Sequence, residues 1–220
     1  MNRANELVKL LDRRRLDRIT RIVERYTKFG HLLIDGAVGL AIVLAVLVIA
    51  LVFYQAETIT QVRNTSSLES DYHTLLAVRD TLAGSAELNW SKSVPIELWD
   101  GVLVGGDPRR VIWLKLPKSR LTGSIPAQLG LLDGLTHLNL GGNQLSGTIP
   151  AEIGDLSNLQ LMWFSNNGLV GHVPMELDEL KNLFNWRLGG NRLAGCVPKG
   201  LASVQDNDFD HLDLEICDDS

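Results

Sequence analysis

Two groupings in this chain have the residue types of a reactive or metal-binding centre: His137 with Asp133, and His211 with Asp210 and Asp213. An imidazole beside a carboxylate suits proton transfer or a divalent cation. Neither grouping has the spacing that such chemistry uses. The sequence holds no HExxH, no GxSxG, no phosphate-binding loop and no paired zinc spacing. Asp206, Asp208 and Asp210 alternate as calcium ligands do, but lack the glycine and the terminal glutamate of a calcium loop, so they read as a solvated tail. No catalytic residue, metal or cofactor is expected. Recognition chemistry is better represented. Trp113, His137, Leu161 and Asn185 form one series at a constant spacing of 24, and Lys115, Asn139, Trp163 and Arg187 form a second. His211 and Asp213 fall near the next place in each. Aromatic residues beside Arg are favoured in binding hot spots, so the two series suit a groove for a protein, a peptide or a glycan. The competing reading is cross-strand packing, with Trp163 stacked on Arg187.

These series need a scaffold that repeats every 24 residues, and the chain supplies one. Leu121, Leu145, Leu169 and Leu193 keep that interval, as do Gly123, Gly147, Gly171 and Gly195, and Pro126, Pro150, Pro174 and Pro198. Asn143, Asn167 and Asn191 share the phase, with Ser119 in the first copy. A fixed period of this size predicts stacked coils. In the second copy Leu135, Leu138 and Leu140 alternate as a short strand with one face inward. Asn143 then turns the chain, and its amide is expected to bond the backbones of neighbouring coils in a ladder. Leu145, Ile149, Ile153 and Leu156 close the coil. Matching inward sets are Val111, Leu114 and Leu116; Leu159, Met162 and Phe164; and Leu183, Trp186 and Leu188. A single coil leaves its apolar edges bare, so stability comes largely from nearest neighbours.

The pattern LxxLxLxxNxLxGxIPxxL, nearly complete in the second copy, resembles the plant-type leucine-rich repeat family. The resemblance covers about 110–204 as repeats and about 70–220 with caps. It implies an α/β repeat solenoid: a short right-handed superhelix with a parallel sheet on its concave side and a second short strand near each LxGxIP segment. The two series above would then line the concave face. Tyr72, Leu75, Leu76, Val78, Arg79 and Leu82 suggest a cap helix, and Leu88-Asn89-Trp90 with Trp99-Asp100-Gly101-Val102 is similar to the family's N-terminal cap. Where that cap usually has a cysteine pair, this chain has Glu97 and Val104, so the cap is expected to be held by packing alone. The tail residues Phe209, Leu212, Leu214 and Ile216 read as one more strand. Outside the cytosol a Cys196–Cys217 bridge would form there and contribute roughly 3 kcal/mol by loop entropy; the alternative is two separate thiols.

The remaining feature is a long apolar run. Residues 36–53 carry no charge, and extending the run to Leu32 and Tyr54 gives 23 residues. As a helix these span about 34 Å, enough for a hydrocarbon core of about 30 Å. A buried core helix would rarely lack a polar face for so many turns. Cleavage of the run as a signal peptide is not expected, because small residues are missing at the cleavage positions after it. Nine basic residues precede it, from Arg3 to Lys28, whereas in the fifteen residues after Tyr54 only Arg63 is basic. The positive-inside rule therefore places the N-terminus in the cytoplasm and the C-terminal part outside. Leu16, Ile19, Ile22, Val23 and Tyr26 recur at helical spacing, so the basic leader either lies on membrane lipid or only sets topology. Asn64-Thr65-Ser66 and Asn89-Trp90-Ser91 fit the N-glycosylation pattern. The chain is 45% hydrophobic and 21% charged with net charge −5, which excludes disorder and makes no case for nucleic acid.

The expected organisation is a basic cytosolic segment (1–31), a transmembrane helix (32–54), a stalk (55–69), an N-terminal cap (70–109), about four repeats (110–204) and a C-terminal cap with an acidic tail (205–220). The expected function is a membrane-tethered, non-enzymatic recognition module that binds a protein, peptide or glycan. The alternative is a structural or adhesion subunit docked constitutively on a larger membrane or envelope complex.

Overall fold

The computed structural model describes residues 67–217 and, before them, Arg21, Ala45, Val48, Ile49, Val52, Gln55 and Ala56. The chain divides into two units, Met1–Val62 and Arg63–Ser220. In the first, all seven described residues are helical and exposed. Apart from Ala45, Val48, Ile49 and Val52, the expected span at 32–54 lies outside the described residues, as does the basic leader apart from Arg21. Among the described residues no helix is long and apolar enough to cross a membrane.

The second unit is a solenoid. Helix α1 (67–83) buries Leu75, Val78, Leu82 and Ala83 against the first coil. It already includes 67–69, which the sequence assigns to the stalk, because Leu68 packs on the same core. An antiparallel pair follows, β1 (Val102–Gly105) with β2 (Arg110–Lys115). Strand β2 then begins a parallel series with β3 (His137–Asn139), β4 (Leu161–Trp163) and β6 (Asn185–Arg187). The register carries the sequence period directly into space, pairing Leu114 with Leu138, Leu138 with Met162 and Met162 with Trp186. All four are fully buried.

Each strand returns by the same path. The LxGxIP segment ends at a proline whose fixed φ starts a 3₁₀ turn needing no N–H from that residue. The turns are Ala127–Leu131, Ala151–Asp155 and Met175–Glu179. They close on Leu132, Leu156 and Leu180, whose N–H groups donate to Leu129, Ile153 and Leu177 and whose side chains are buried. On the LxGxIP side β5 (Val170–His172) pairs in parallel with β7 (Arg192–Ala194), and Ser124 bridges Ser146.

Three asparagines join the coils. Asn143 donates from Nδ2 to the carbonyls of Leu116 and Leu140, both at 2.8 Å, and accepts at Oδ1 from the N–H of Ser119 and Leu121. Asn167 donates to Leu140 and Phe164 and accepts from Leu145. Asn191 donates to Phe164 and Leu188 and accepts from Leu169. Each amide thus bonds its own coil and the one before it. In the first copy the Ser119 hydroxyl donates to Pro117 O of its own coil, at 3.3 Å. Asn167→Ala removes one acceptor and two donors from partly buried backbone groups. It is expected to lower unfolding free energy by roughly 1–3 kcal/mol in chemical denaturation; an unchanged midpoint would dismiss the ladder as a source of stability.

The cap is not held by packing alone. Trp90 and Trp99 do stack, with ring centroids 5.7 Å apart. Polar links add to this. The indole N–H of Trp90 donates to Asp100 O and that of Trp99 to Val94 O. Asn89 and Asp100 exchange side-chain–backbone hydrogen bonds. Glu97, in a family cysteine position, pairs with Arg109 at 2.9 Å. The buried Asp71 and the half-buried Arg110 form a bidentate pair.

The tail also differs from expectation. Phe209–His211 is a 3₁₀ turn, not a strand. The next rung of the sheet is instead made by Asp206, which bridges Asn185 and accepts from Trp186 N–H, and by Asp208, whose carboxylate accepts from the N–H of Leu188 and Gly189. The short helix α2 (Lys199–Ala202) replaces the usual return, so the rung arrives three residues early and the 24-residue phase no longer applies. His211 is exposed in its turn, and Asp213 takes a positive φ beyond it, so neither joins the sheet series. Cys196 and Cys217 are disulfide-bonded, beside the pairing of β8 (Cys196–Val197) with β9 (Glu215–Ile216).

Candidate functional site

The candidate site is the face of the parallel sheet turned away from the core. Strand alternation sends Leu114, Leu138, Met162 and Trp186 inward, and the residues on either side of each outward. Register therefore stacks Trp113, His137, Leu161 and Asn185 as one column and Lys115, Asn139, Trp163 and Arg187 as the next. Adjacent strands are about 4.8 Å apart, which puts neighbours in a column within side-chain contact.

The columns are not uniformly open. Trp113, Lys115, His137, Leu161, Trp163 and Arg187 are half-buried. Asn139 and Asn185 are buried, with 8% and 7% exposure, where alternation alone has them outside. At the C-terminal end a hydrogen-bonded chain explains the burial. Trp163 donates its indole N–H to Asn185 Oδ1, Asn185 Nδ2 donates to Asp206, and Arg187 pairs with the other oxygen of Asp206. The guanidinium also donates to Trp186 O at 2.8 Å. Arg187, by its hydrogen bond, holds the Asp206 carboxyl below the usual carboxylate range. The cation–π contact of this face is made at its other end, by Lys115 Nζ at 3.6 Å from the Trp113 ring centroid, and not by Arg187 on Trp163.

At that N-terminal end Trp113 meets the His137 ring at 5.0 Å between centroids. Thr136 lies within hydrogen-bonding distance of His137 Nδ1, at 2.9 Å, and donates to Ile112 O. Burial, aided by the nearby Lys115 charge, pushes the His137 pKa below its ordinary value of 6.5. Both causes favour the neutral imidazole. In an NMR titration its midpoint is expected below 6.5 and is expected to rise in Lys115→Met, which removes the repelling charge; a midpoint unmoved by that change would refute the coupling.

Asp133, grouped with His137 by residue type and set aside for want of spacing, is paired with Arg110. Among the described residues no group of three or more His, Cys, Asp or Glu is placed to hold a metal ion. Two contributors were not visible in the period. Asp206 follows Asn185 by 21 residues, not 24, and Thr136 acts only through its neighbour.

The fold and its repeat can be set beside known proteins. The Leucine Rich Repeat family model matches residues 134–156. No curated protein matches. The solved BIR3–SERK2 complex from Arabidopsis thaliana is similar at 31% identity over 61% of this chain and 80% of that one, with a TM-score of 0.51. This is a plant-type leucine-rich repeat protein. A plant ice-binding protein is similar at 28% identity and a TM-score of 0.53, and the PEPR1–AtPEP1 structure at 26% and 0.51. They share 62% and 68% of this chain, which spans only 45% and 24% of theirs. In leucine-rich repeat terms, the columns described above occupy the variable positions between the fixed leucines of LxxLxLxxN.

Proposed function

We propose that this leucine-rich repeat protein is a membrane-tethered, non-enzymatic recognition module, displayed outside the cytosol, that binds a protein or peptide on the open face of its parallel sheet. The observation that carries this reading is the half-buried set Trp113, His137, Leu161 and Trp163, flanked by Lys115. It offers aromatic and aliphatic area with a cation at its edge, the make-up of a binding hot spot. Two similar structures, BIR3–SERK2 and PEPR1–AtPEP1, are complexes, which supports binding as the role. The tether rests on the apolar run at 32–54 and the nine basic residues before it. Sidedness is supported by the Cys196–Cys217 disulfide, because such bonds persist in oxidising compartments.

The test places a photo-crosslinking residue at Leu161 in the full chain in its native membrane, with Glu152, exposed on a 3₁₀ turn, as the control position. A protein or peptide adduct specific to 161 is the expected result. Equal labelling at both positions, or none, would overturn recognition on this face. Protease added to intact cells is expected to remove the repeat domain; its full protection would reverse the sidedness.

A further inference from the structure

We infer that the open face contains a carboxylate subsite at Lys115 and Asn139, and that the ligand presents an acidic side chain or chain terminus there. The inference rests on the recognition reading above and adds the chemistry of the ligand. It starts from a contrast between the two ends of the face. At the C-terminal end the chain supplies its own carboxylate: Asp206 accepts from the amide of Asn185 and from the guanidinium of Arg187. The N-terminal end has the same pair of donors, an asparagine amide and a cation, on the adjacent positions Asn139 and Lys115. Among the described residues no carboxylate lies within ion-pair distance of Lys115, whose ammonium rests on the Trp113 ring.

Asn139 is more telling. It is 8% exposed, and its Oδ1 is used by Gly141 N–H at 3.0 Å. That fixes the amide with Nδ2 on its opposite side, and among the described residues Nδ2 has no acceptor. A donor so nearly buried and unpaired is rare and calls for a partner. A carboxylate satisfies both groups at once, one oxygen for the amide N–H and the shared charge for the ammonium. A neutral carbonyl would serve the amide and leave the cation unpaired. With net charge −5 the chain as a whole does not attract acids, so selectivity must come from this local pair.

Three C-terminally defined hexapeptide libraries test this on the full chain in detergent: one amidated with a fixed central Asp, one amidated with Asn in its place, and one without acidic side chains but with a free C-terminal carboxylate. The Asp library is expected to be retained about tenfold better than the Asn library, as one charge-assisted contact implies. Preference for the third library over the Asn library instead assigns the carboxylate to a chain terminus, within the same inference. Lys115→Met is expected to abolish the preference and Lys115→Arg to restore it, with unchanged melting of both variants. Equal retention of all three libraries, with adducts still formed at position 161, overturns the carboxylate subsite and leaves recognition standing. A preference that survives Lys115→Met also overturns it. Retention of none, with no adduct at 161, overturns the recognition reading itself.

Discussion

Asp71→Ala is expected to destabilise the repeat domain by about 3–5 kcal/mol, a large share of the 5–15 kcal/mol typical of a folded domain. Asp71 is 1% exposed on helix α1. Its Oδ1 accepts from Arg110 Nη2 at 2.7 Å, and its Oδ2 accepts from Arg110 Nε at 3.0 Å and from the Val111 N–H at 2.7 Å. Val111 begins the inward face of the first parallel strand, so one carboxylate joins the cap helix to the sheet. Truncation orphans a buried N–H and strips the guanidinium of its bidentate partner, leaving it Asp133 at the surface. Both effects cost more than the pair itself contributes, because a half-buried guanidinium loses its buried partner and keeps only an exposed one. The double change Asp71→Ala with Arg110→Met is therefore expected to recover part of the loss, with the Val111 N–H still unpaired. Denaturant midpoints of the two single variants and the double variant measure this directly. A single-variant loss under about 1 kcal/mol would show that the Asp71–Arg110 pair does not anchor the cap.

That pair also shows where a sequence stops being informative. The period of 24 made the coils, the strand register and the asparagine ladder legible, because each recurs and every recurrence serves the same backbone need. The columns of the open face followed by strand alternation. Asp71 has no counterpart in any other copy. It stands in a polar stretch of a helix, 39 residues from Arg110, and looks like any solvated acid. The tail failed for a related reason. Asp206 and Asp208 alternate as exposed residues would, yet they supply the rung and the acceptors that a further coil would have supplied, three residues out of phase. On the site itself, position on the strand gave the direction of Asn139 and Asn185 but not their burial. Asn185 is enclosed by its bonds to Trp163 and Asp206, one of them four residues past the last α2 residue. Alternation describes the backbone; what covers a side chain depends on the size and reach of its neighbours.

Gly123→Ala is the second large effect, and its cause is space. A Cβ at this glycine would lie 1.8 Å from the carbonyl oxygen of Thr81 and 3.0 Å from that of Leu82. Those carbonyls belong to the last turn of α1, where a helix leaves acceptors unused by its own ladder. The first LxGxIP segment supplies the missing donors: Thr122 N–H bonds Ala83 O at 3.1 Å and Ser124 N–H bonds Thr81 O at 2.9 Å. The close approach that makes those bonds is the one a methyl group forbids, and no side-chain rotation relieves a clash with backbone. Helix and coil must part, which breaks both hydrogen bonds and loosens the packing of the buried Leu82 and Leu121. The expected loss is roughly 3 kcal/mol or more. Gly147, at the same place in the next coil, has Ser124 Cβ as its nearest contact at 3.6 Å, so Gly147→Ala meets only the strain of its positive φ of 79°. Its loss is expected near 1 kcal/mol. The comparison isolates the helix docking from the general cost of replacing a repeat glycine: equal melting of the two variants would mean that α1 does not seat on the first coil, whereas a much lower melting temperature for Gly123→Ala is the outcome this packing requires.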